Sequence, residues 1–226
     1  MSYKKLVIAA FFALIGTFGL SGCGSVKPIS LDEQLPRPEY SSGQVVMIEV
    51  SDQRTRVKEG KPVTFVGVAH GAFGIPQDVQ LHALFAGQPS EPEPYALAQF
   101  LQKRLGQGFD ANNWDTKPSF ADGVESGAQS PENFEGSGAG RFLRVILKEW
   151  YFSINLSWVT AFNFDTEVDV EVYDSIKGKI FEKNIKERDV VDVSASDSYG
   201  NLILKAYRDQ LSQIINDPDV RDAITR

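Results

Sequence analysis

Apolar and polar residues alternate along the second half of the chain, which is the pattern of a β-strand with one buried face. The clearest example is the stretch 164–172, where Phe, Val or Thr alternates with Asp or Glu at every step. A second alternating stretch lies at 143–148, and a third strand is predicted at 179–193, after a turn at 175–178. These stretches predict an antiparallel meander that is packed on one face and solvated on the other.

Two apolar runs in the first part of the chain are also typical of strands. The first run covers 45–50 and the second covers 63–68, while the segment 51–62 between them is polar and rich in turn-forming residues. Because a short turn-rich connection commonly joins neighbouring antiparallel strands, this pattern predicts an N-terminal hairpin.

Two further stretches carry apolar residues at the spacing of three and four that is typical of an amphipathic helix. The first helix is predicted to follow a capping box at 90–93, with Ser90 as the cap, and to stop at Gly106. The second follows a Ser-Asp-Ser cap at 196–198 and ends before Pro218. The sequence therefore predicts an α+β fold. Its sheet would be largely antiparallel, made of the N-terminal hairpin and the C-terminal three-stranded meander, with two main helices on one face.

The first residues of the chain are typical of a secretory signal peptide. Lys4 and Lys5 precede the segment 6–20, which is 15 residues long and contains no charge. A membrane-spanning helix needs about 20 apolar residues, so this segment is short for a permanent span. We therefore expect residues 1–22 to be a signal peptide that is removed from the mature protein.

The uncharged segment ends in Leu20, Ser21, Gly22 and Cys23, which resemble the lipobox of bacterial lipoproteins. Small residues before the Cys let the scissile bond enter a peptidase, and the Cys thiol accepts the lipid. The resemblance implies that Cys23 is lipidated and anchors the mature protein to a membrane. Because Gly24 follows where an Asp would resemble the inner-membrane retention signal of enteric bacteria, we expect sorting to the periplasmic face of the outer membrane.

The rest of the chain divides into a tether and one domain. Residues 23–44 contain several Pro, Ser and Gly, which predicts a flexible tether behind the lipidated Cys. Residues 45–226 are expected to form a single periplasmic domain. Within it, the segment 111–140 is rich in Gly, Ser and Asn and has few large apolar residues, which predicts a flexible loop.

The composition excludes several classes of function. The chain has 23 Lys and Arg against 30 Asp and Glu, and this net charge of −7 argues against nucleic acid as a partner. It has one Cys and two His, His70 and His82, with no spacing typical of a metal site, so neither a metal nor another cofactor is predicted. So few nucleophilic and basic candidates also argue against a hydrolytic triad.

A row of carboxylates is the main candidate for catalysis. Two carboxylates on one strand face could act as acid and base or bind a divalent ion. The alternative is a solvated face whose charges are balanced by basic residues across the sheet, and we favour this reading. The acidic row consists of Asp165, Glu167, Asp169 and Glu171, and the expected balancing residues are Arg144, Lys148, Lys183 and Arg188.

An aromatic group lies between the first and second strands of the predicted meander. Its members could stack on a sugar or contact a protein partner, or they could pack in the core, which we favour. The group consists of Trp150, Tyr151, Phe152 and Trp158.

The segment 48–55, with Asp52 and Arg54, resembles the D-x-R signature of the YajG-like lipoproteins of Gram-negative bacteria. The similarity continues through the helix that ends near 108–109, the meander at 141–193 and the closing residues 217–220. The resemblance implies an outer-membrane lipoprotein of uncharacterised function and without agreed catalytic residues. We therefore expect Asp52 and Arg54 to be structural, as an ion pair or as turn hydrogen bonds that hold the N-terminal hairpin.

These observations favour a lipid-anchored lipoprotein that is not an enzyme and that serves as a binding or envelope-assembly module. Its partners would be the membrane, through the lipid on Cys23, and an envelope protein or glycan. Two alternatives remain open at this point. One is a peptidoglycan or glycan hydrolase that uses the acidic row, and the other is a carrier that holds a small apolar ligand between helices and sheet.

Overall fold

The computed structural model describes residues 27–85, 96–118, 134, 137–155, 161–193 and 197–226. Several predicted features therefore lie outside the described residues. These are the signal peptide, the lipobox with Cys23, the capping box expected at 90–93, the central part of the loop expected at 111–140, and Trp158.

The described chain contains seven strands and four α-helices, joined in part by short 3-10 turns. The strands are β1 (Val45–Asp52), β2 (Phe65–His70), β3 (Pro76–Gln80), β4 (Asp115–Pro118), β5 (Arg141–Asn155), β6 (Ala161–Asp174) and β7 (Gly178–Asp192). The helices are α1 (Thr55–Lys58), α2 (Leu97–Ala111), α3 (Tyr199–Asn216) and α4 (Pro218–Thr225). The mixture of one sheet and separate helices confirms the predicted α+β class.

The sheet is organised around β5, which is long enough to have different neighbours along one edge. On that edge β1 pairs in parallel from Val46 opposite Arg141 to Asp52 opposite Leu147. Further along the same edge β2 pairs in parallel with the end of β5, with His70 opposite Asn155. The outer neighbours of β1 and β2 are β4, which is parallel, and β3, which is antiparallel.

On the other edge of β5 the chain forms the predicted meander. β5 pairs with β6 and β6 pairs with β7, both antiparallel. The strands extend a few residues beyond the stretches of clear alternation, because residues at strand ends still pair although they no longer alternate. The C-terminal three-stranded meander is therefore confirmed.

The predicted N-terminal hairpin is wrong. Among the described strands β1 and β2 are not paired with each other, and both run parallel to β5. The turn-rich segment between them forms the short helix α1 and returns the chain to the same edge of β5, so that β2 continues in the direction of β1. The sheet is consequently mixed: β1 and β2 pair in parallel with β5, and β1 with β4, whereas the pairs β5–β6, β6–β7 and β2–β3 are antiparallel. Apolar runs identify strands, but they do not identify the partner of each strand.

The two main helices share one hydrophobic core with the inner face of the sheet. On α3 the ring of Tyr207 stacks on Phe164 with centroids 5.4 Å apart and meets Trp150 edge-on at 5.5 Å. On α2 the side chain of Gln102 accepts a hydrogen bond from the backbone of Val50 at 3.0 Å, which fixes the helix to β1. The Ser198 cap predicted for α3 is present, since its side chain accepts from the Asn201 backbone.

Helix α2 begins at Leu97, seven residues after the predicted cap at Ser90, and it continues past Gly106, where the sequence predicted its end, to Ala111. A glycine in a helix is tolerated when neighbouring turns are well packed. Gly108 has a specific role, because a Cβ atom there would lie 1.8 Å from the carbonyl oxygen of Pro36. The glycine lets the N-terminal segment lie directly on the helix.

Residues 27–44 differ from the flexible tether expected over 23–44. Ile29 and Leu35 are buried, and the Ile29 backbone N–H donates to the side chain of Asn201 at 3.2 Å. The Asn112 side chain donates to the carbonyl of Pro38 at 2.6 Å. The Pro- and Ser-rich composition does not indicate this packing, because Ile29 and Leu35 are too far apart to form an apolar pattern.

The two ends of the expected loop at 111–140 also differ from the prediction. Its start contains buried Trp114 and strand β4, which extends the sheet beyond β1. Near its end Phe134 is buried against Phe142, with ring centroids 5.8 Å apart, on the outer face of the sheet. The short strand was missed because Asp115–Pro118 is polar and contains a proline, which suits an edge strand.

In the part of the chain that the structure describes, we find no helix with the length and apolar character needed to cross a membrane.

Candidate functional site

The acidic row lies on the outer face of β6, and each of its carboxylates contacts a basic side chain. Asp165 pairs with Arg188. The carboxylate–ammonium distances are 2.6 Å for Glu167 with Lys186, 3.1 Å for Asp169 with Lys148, and 3.2 Å for Glu171 with Lys179. These pairs run across the sheet to β5 or β7, so the row is a charge-balanced surface of the kind that the sequence analysis favours.

The basic residues that balance the row are partly those expected from the sequence. Arg144, Lys148 and Arg188 contact it, but Lys183 does not. Lys183 points to the opposite face of the sheet and binds Asp217, which caps α4, at 2.8 Å. Side chains one position apart along β7 face opposite sides of the sheet, and Lys183 lies on the inner side, opposite Val170. Lys186 and Lys179 contact the acidic row in place of Lys183.

Charge and hydrogen bonding keep Asp169 ionised. Partial burial by itself raises the pKa of this carboxyl, but hydrogen bonds from Asn184 and Lys148 and the charge of Lys148 bring the pKa below its ordinary value. A general acid needs the opposite shift, toward neutral pH. The environment of Asp169 is therefore that of a structural carboxylate.

A buried carboxylate that the sequence analysis missed lies beside this row. Glu49, on β1, is only 1% exposed, and its Oε1 is 3.5 Å from Nε of Arg144. Burial raises the pKa of Glu49 above its ordinary value, although the charge of Arg144 opposes the shift. Nη1 of Arg144 lies 3.6 Å from Oε2 of Glu171, and the same oxygen accepts a hydrogen bond from the hydroxyl of Tyr173. The alternation in β1 assigns Glu49 to the outer face, but it does not reveal that this part of the face is covered.

Asp52 and Arg54 form the ion pair that the sequence analysis considers. Both side chains are buried, at 4% and 1% exposed. Arg54 donates from Nε and Nη2 to the two carboxylate oxygens of Asp52 at 2.9 and 2.8 Å, and its backbone N–H donates to Oδ1 at 3.1 Å. This bidentate geometry is the strongest arrangement available to such a pair. We refer to Asp52 and Arg54 as the Asp52–Arg54 clamp.

The clamp lies where β1 has left the edge of β5 and β2 has not yet joined it. Nη1 of Arg54 donates to the carbonyl oxygens of Phe65 at 2.6 Å and Trp150 at 3.4 Å, and Nη2 donates to Val63 at 3.2 Å. The guanidinium thus supplies donors where the strand backbone is interrupted. The clamp connects β1, β2 and β5 at the gap between β1 and β2 along the edge of β5. It does not hold a hairpin, as the sequence predicted.

The two histidines lie on different elements. His70 ends β2, with Nδ1 3.3 Å from the carbonyl oxygen of Gly74, and His82 is exposed in the 3-10 turn Leu81–Phe85. Within the described ranges, no three or more His, Cys, Asp or Glu side chains form a cluster that could hold a metal ion.

The aromatic group divides between the two faces of β5. Trp150 and Phe152 are buried in the core, as expected. Tyr151 lies on the outer face, where the guanidinium of Arg56 is 3.9 Å from its ring centroid. Arg56 and Glu149 also line an open groove of about 590 Å³ together with members of the acidic row and their partners. Neither Arg56 nor Glu149 belongs to a pattern in the sequence that would have marked it as part of a groove.

The sequence matches no protein-family model and no curated protein. Three solved structures illustrate what the fold is similar to. A Xanthomonas campestris protein assigned to the family DUF330 is 10% identical, with 84% of this chain and 90% of that chain covered and a TM-score of 0.46. A hypothetical protein from Chlamydia trachomatis is 11% identical, with 80% and 98% covered and a TM-score of 0.43. A lipoprotein from Neisseria meningitidis is 13% identical, with 75% and 96% covered and a TM-score of 0.28.

The structures similar to this chain therefore include a bacterial lipoprotein and a member of a family named only by number. Similarity at this level transfers no function and no site residue to this chain.

Proposed function

We propose that this chain is a lipoprotein of the YajG-like kind, anchored to the periplasmic face of the outer membrane through Cys23. The observation that carries the proposal is the lipobox-like sequence Leu20-Ser21-Gly22-Cys23 at the end of an uncharged segment. Acyl chains on Cys23 would hold the protein at the membrane, because each buried methylene contributes about 0.8 kcal/mol.

The domain behind the anchor serves as a non-enzymatic module that binds an envelope protein or a glycan. The cross-strand pairs of the acidic row support this role over hydrolysis, since a carboxylate held in an ion pair is a poor proton donor. The core also supports it over an apolar-ligand carrier, because the rings of Trp150, Phe164 and Tyr207 fill the layer between α3 and the sheet.

The anchor is tested by growing cells with a clickable fatty acid and comparing three forms of the protein. The wild type and Ser21→Ala, which keeps a small residue before the Cys, are expected to carry the label and to fractionate with the outer membrane. Cys23→Ser is expected to carry none, because it has no thiol for the lipid. An unlabelled wild type would contradict the proposal.

The absence of hydrolase activity is tested on purified peptidoglycan. The wild type and a variant with Asp165→Asn and Glu167→Gln are expected to release no more soluble fragments than a sample without protein. Release by the wild type that the double variant loses would favour the hydrolase instead.

A further inference from the structure

The hairpin between β2 and β3 ends in an unusually exposed apolar tip. We define the tip as residues 71–75. Phe73 is 99% exposed and Ile75 is 59% exposed. Phe73 also has a φ of 63°, in the left-handed region that is unfavourable for a bulky residue and favours glycine. The fold therefore presents a large aromatic side chain to the surroundings at a position where packing does not require one.

The tip carries no charge. No Asp, Glu, Lys or Arg occurs in the segment 62–77, and the flanking residues Lys61 and Asp78 pair with each other at 2.5 Å. A charged side chain would oppose transfer of the tip into an apolar phase, because the charge would have to be desolvated. The tip can enter such a phase without this cost.

The proposed lipid anchor is attached close to the start of α3. The Asn201 side chain, in the first turn of α3, donates to the carbonyl oxygen of Lys27 at 2.9 Å. Cys23 precedes Lys27 by four residues. A fully extended chain advances at most about 3.5 Å per residue, so the lipidated Cys lies at most about 14 Å from Lys27. The bilayer surface must then be near the first turn of α3.

The tip lies at one end of the sheet, which we call the His70 end. His70 precedes the tip directly and pairs with Asn155, the last residue of β5. At the opposite end Arg141, the first residue of β5, pairs with Asp174, and we call this the Arg141 end.

Helix α3 starts at the His70 end. Tyr207, in the middle of the helix, packs on Phe164, which lies near the His70 end of β6. Asp217, directly after the helix, binds Lys183, which is nearer the Arg141 end. The helix therefore runs from the His70 end toward the Arg141 end, and Asn201 in its first turn shares the His70 end with the tip.

We propose, on the basis of the lipid anchor proposed above, that the His70 end faces the bilayer and that Phe73 and Ile75 insert into the lipid interface. The tip is a second attachment point beside the acyl chains and fixes the orientation of the domain. Exposed aromatic and aliphatic side chains suit the boundary between headgroups and acyl chains. The Arg141 end and its charged surroundings then point into the periplasm.

The test uses the lipidated full-length protein in vesicles of phosphatidylethanolamine and phosphatidylglycerol. Because the single Cys of the chain carries the lipid, Phe73→Cys introduces a unique free thiol for an environment-sensitive fluorophore. Ile176→Cys is the matched control, since Ile176 is 92% exposed and lies in the β6–β7 turn at the Arg141 end. Both substitutions are on the surface and leave the core unchanged.

The label at position 73 is expected to emit at shorter wavelength and to be quenched several-fold more strongly by nitroxide-bearing lipids than the label at 176. The label at 176 is expected to be the one quenched by aqueous iodide. Equal behaviour of the two labels would overturn the inference, whether the tip is then free in water or reserved for a protein partner. Flotation of the vesicles and the mass of the N-terminal peptide report separately on the anchor, so a failure of the anchor is distinguishable from a failure of the tip.

Discussion

At the scale of single residues, the clearest physical feature is the burial of Arg54. A buried guanidinium is tolerated only when its donors have acceptors. Arg54 meets this condition with the Asp52 carboxylate and three backbone carbonyls. The pair itself could be anticipated from the D-x-R spacing, but its backbone acceptors could not, because the carbonyls of Val63, Phe65 and Trp150 reach Arg54 only through the tertiary fold.

We expect Arg54→Leu to lower the free energy of unfolding by about 3–5 kcal/mol, because it leaves a buried carboxylate without its partner. Arg56→Ala is the control. Its pair with Glu149 is partly exposed, and such pairs contribute about 0–1 kcal/mol. Denaturant unfolding of both variants measures the difference, and equal losses would contradict the role assigned to the Asp52–Arg54 clamp.

Glu49 makes stability depend on pH. Burial raises the pKa of Glu49 in the folded protein above the ordinary value of 4.5. The folded state then binds more protons than the unfolded state above pH 4.5, so the contribution of Glu49 to stability falls as the pH rises through the raised pKa.

We expect Glu49→Gln to remove this loss. The difference in unfolding free energy between variant and wild type should shift in favour of the variant from mildly acidic to neutral pH. Unfolding curves recorded across that range provide the measurement. Parallel pH profiles for the two proteins would show that Glu49 does not titrate differently in the folded state.

At the scale of elements, periodicity predicted the type of most strands and helices and the packed face of β6. It did not predict that β1 and β2 follow each other along one edge of β5, since parallel pairing leaves no local signal in the sequence. It also missed β4, a short polar strand at the edge of the sheet, and the packing of residues 27–44 on α2. These features depend on contacts between distant segments.

The two faces of β6 are tested by neighbouring substitutions. Asp169 pairs with Lys148 on the outer face, and its side chain is 24% exposed. We expect Asp169→Asn to lower the free energy of unfolding by about 1 kcal/mol or less. Val170 is fully buried on the inner face, so Val170→Asp should cost several kcal/mol or prevent folding, because it buries a charge in the apolar core. Lys183, across from it on β7, is already held by Asp217. Similar losses in denaturant unfolding would mean that the faces are assigned wrongly.

Two glycines of α2 test how the N-terminal segment packs. A Cβ atom at Gly108 would clash with Pro36, whereas nothing lies within 4 Å of the Cβ position at Gly106. We expect Gly106→Ala to stabilise the protein by about 0.5–1 kcal/mol through helix propensity. Gly108→Ala should destabilise it by about 1–3 kcal/mol, because backbone must move to make room.

Thermal or denaturant unfolding distinguishes the two variants, and proteolysis locates the change. In Gly108→Ala the cleavage rate within residues 27–44 should rise relative to Gly106→Ala. Stabilisation by both substitutions would contradict the packing of this segment on α2.

At the scale of the whole molecule, the packed N-terminal segment connects the proposed anchor to one end of the fold. Only three residues separate Cys23 from Lys27, whose carbonyl oxygen accepts a hydrogen bond from Asn201 of α3. A domain on so short a connection cannot sample all orientations at the bilayer, unlike a domain on a long flexible tether. The composition alone predicted the freer arrangement, because it does not show which Pro-rich segments pack.

Lipidation of Cys23 in the mature protein is tested by the mass of the protein extracted from membranes. We predict a chain that begins at Cys23 and carries a diacylglyceryl group on its thiol, with the mass reduced by the acyl chains after alkaline hydrolysis. A mature chain that begins at another residue, or an unmodified Cys23, would show that the protein is not anchored through a lipid on Cys23.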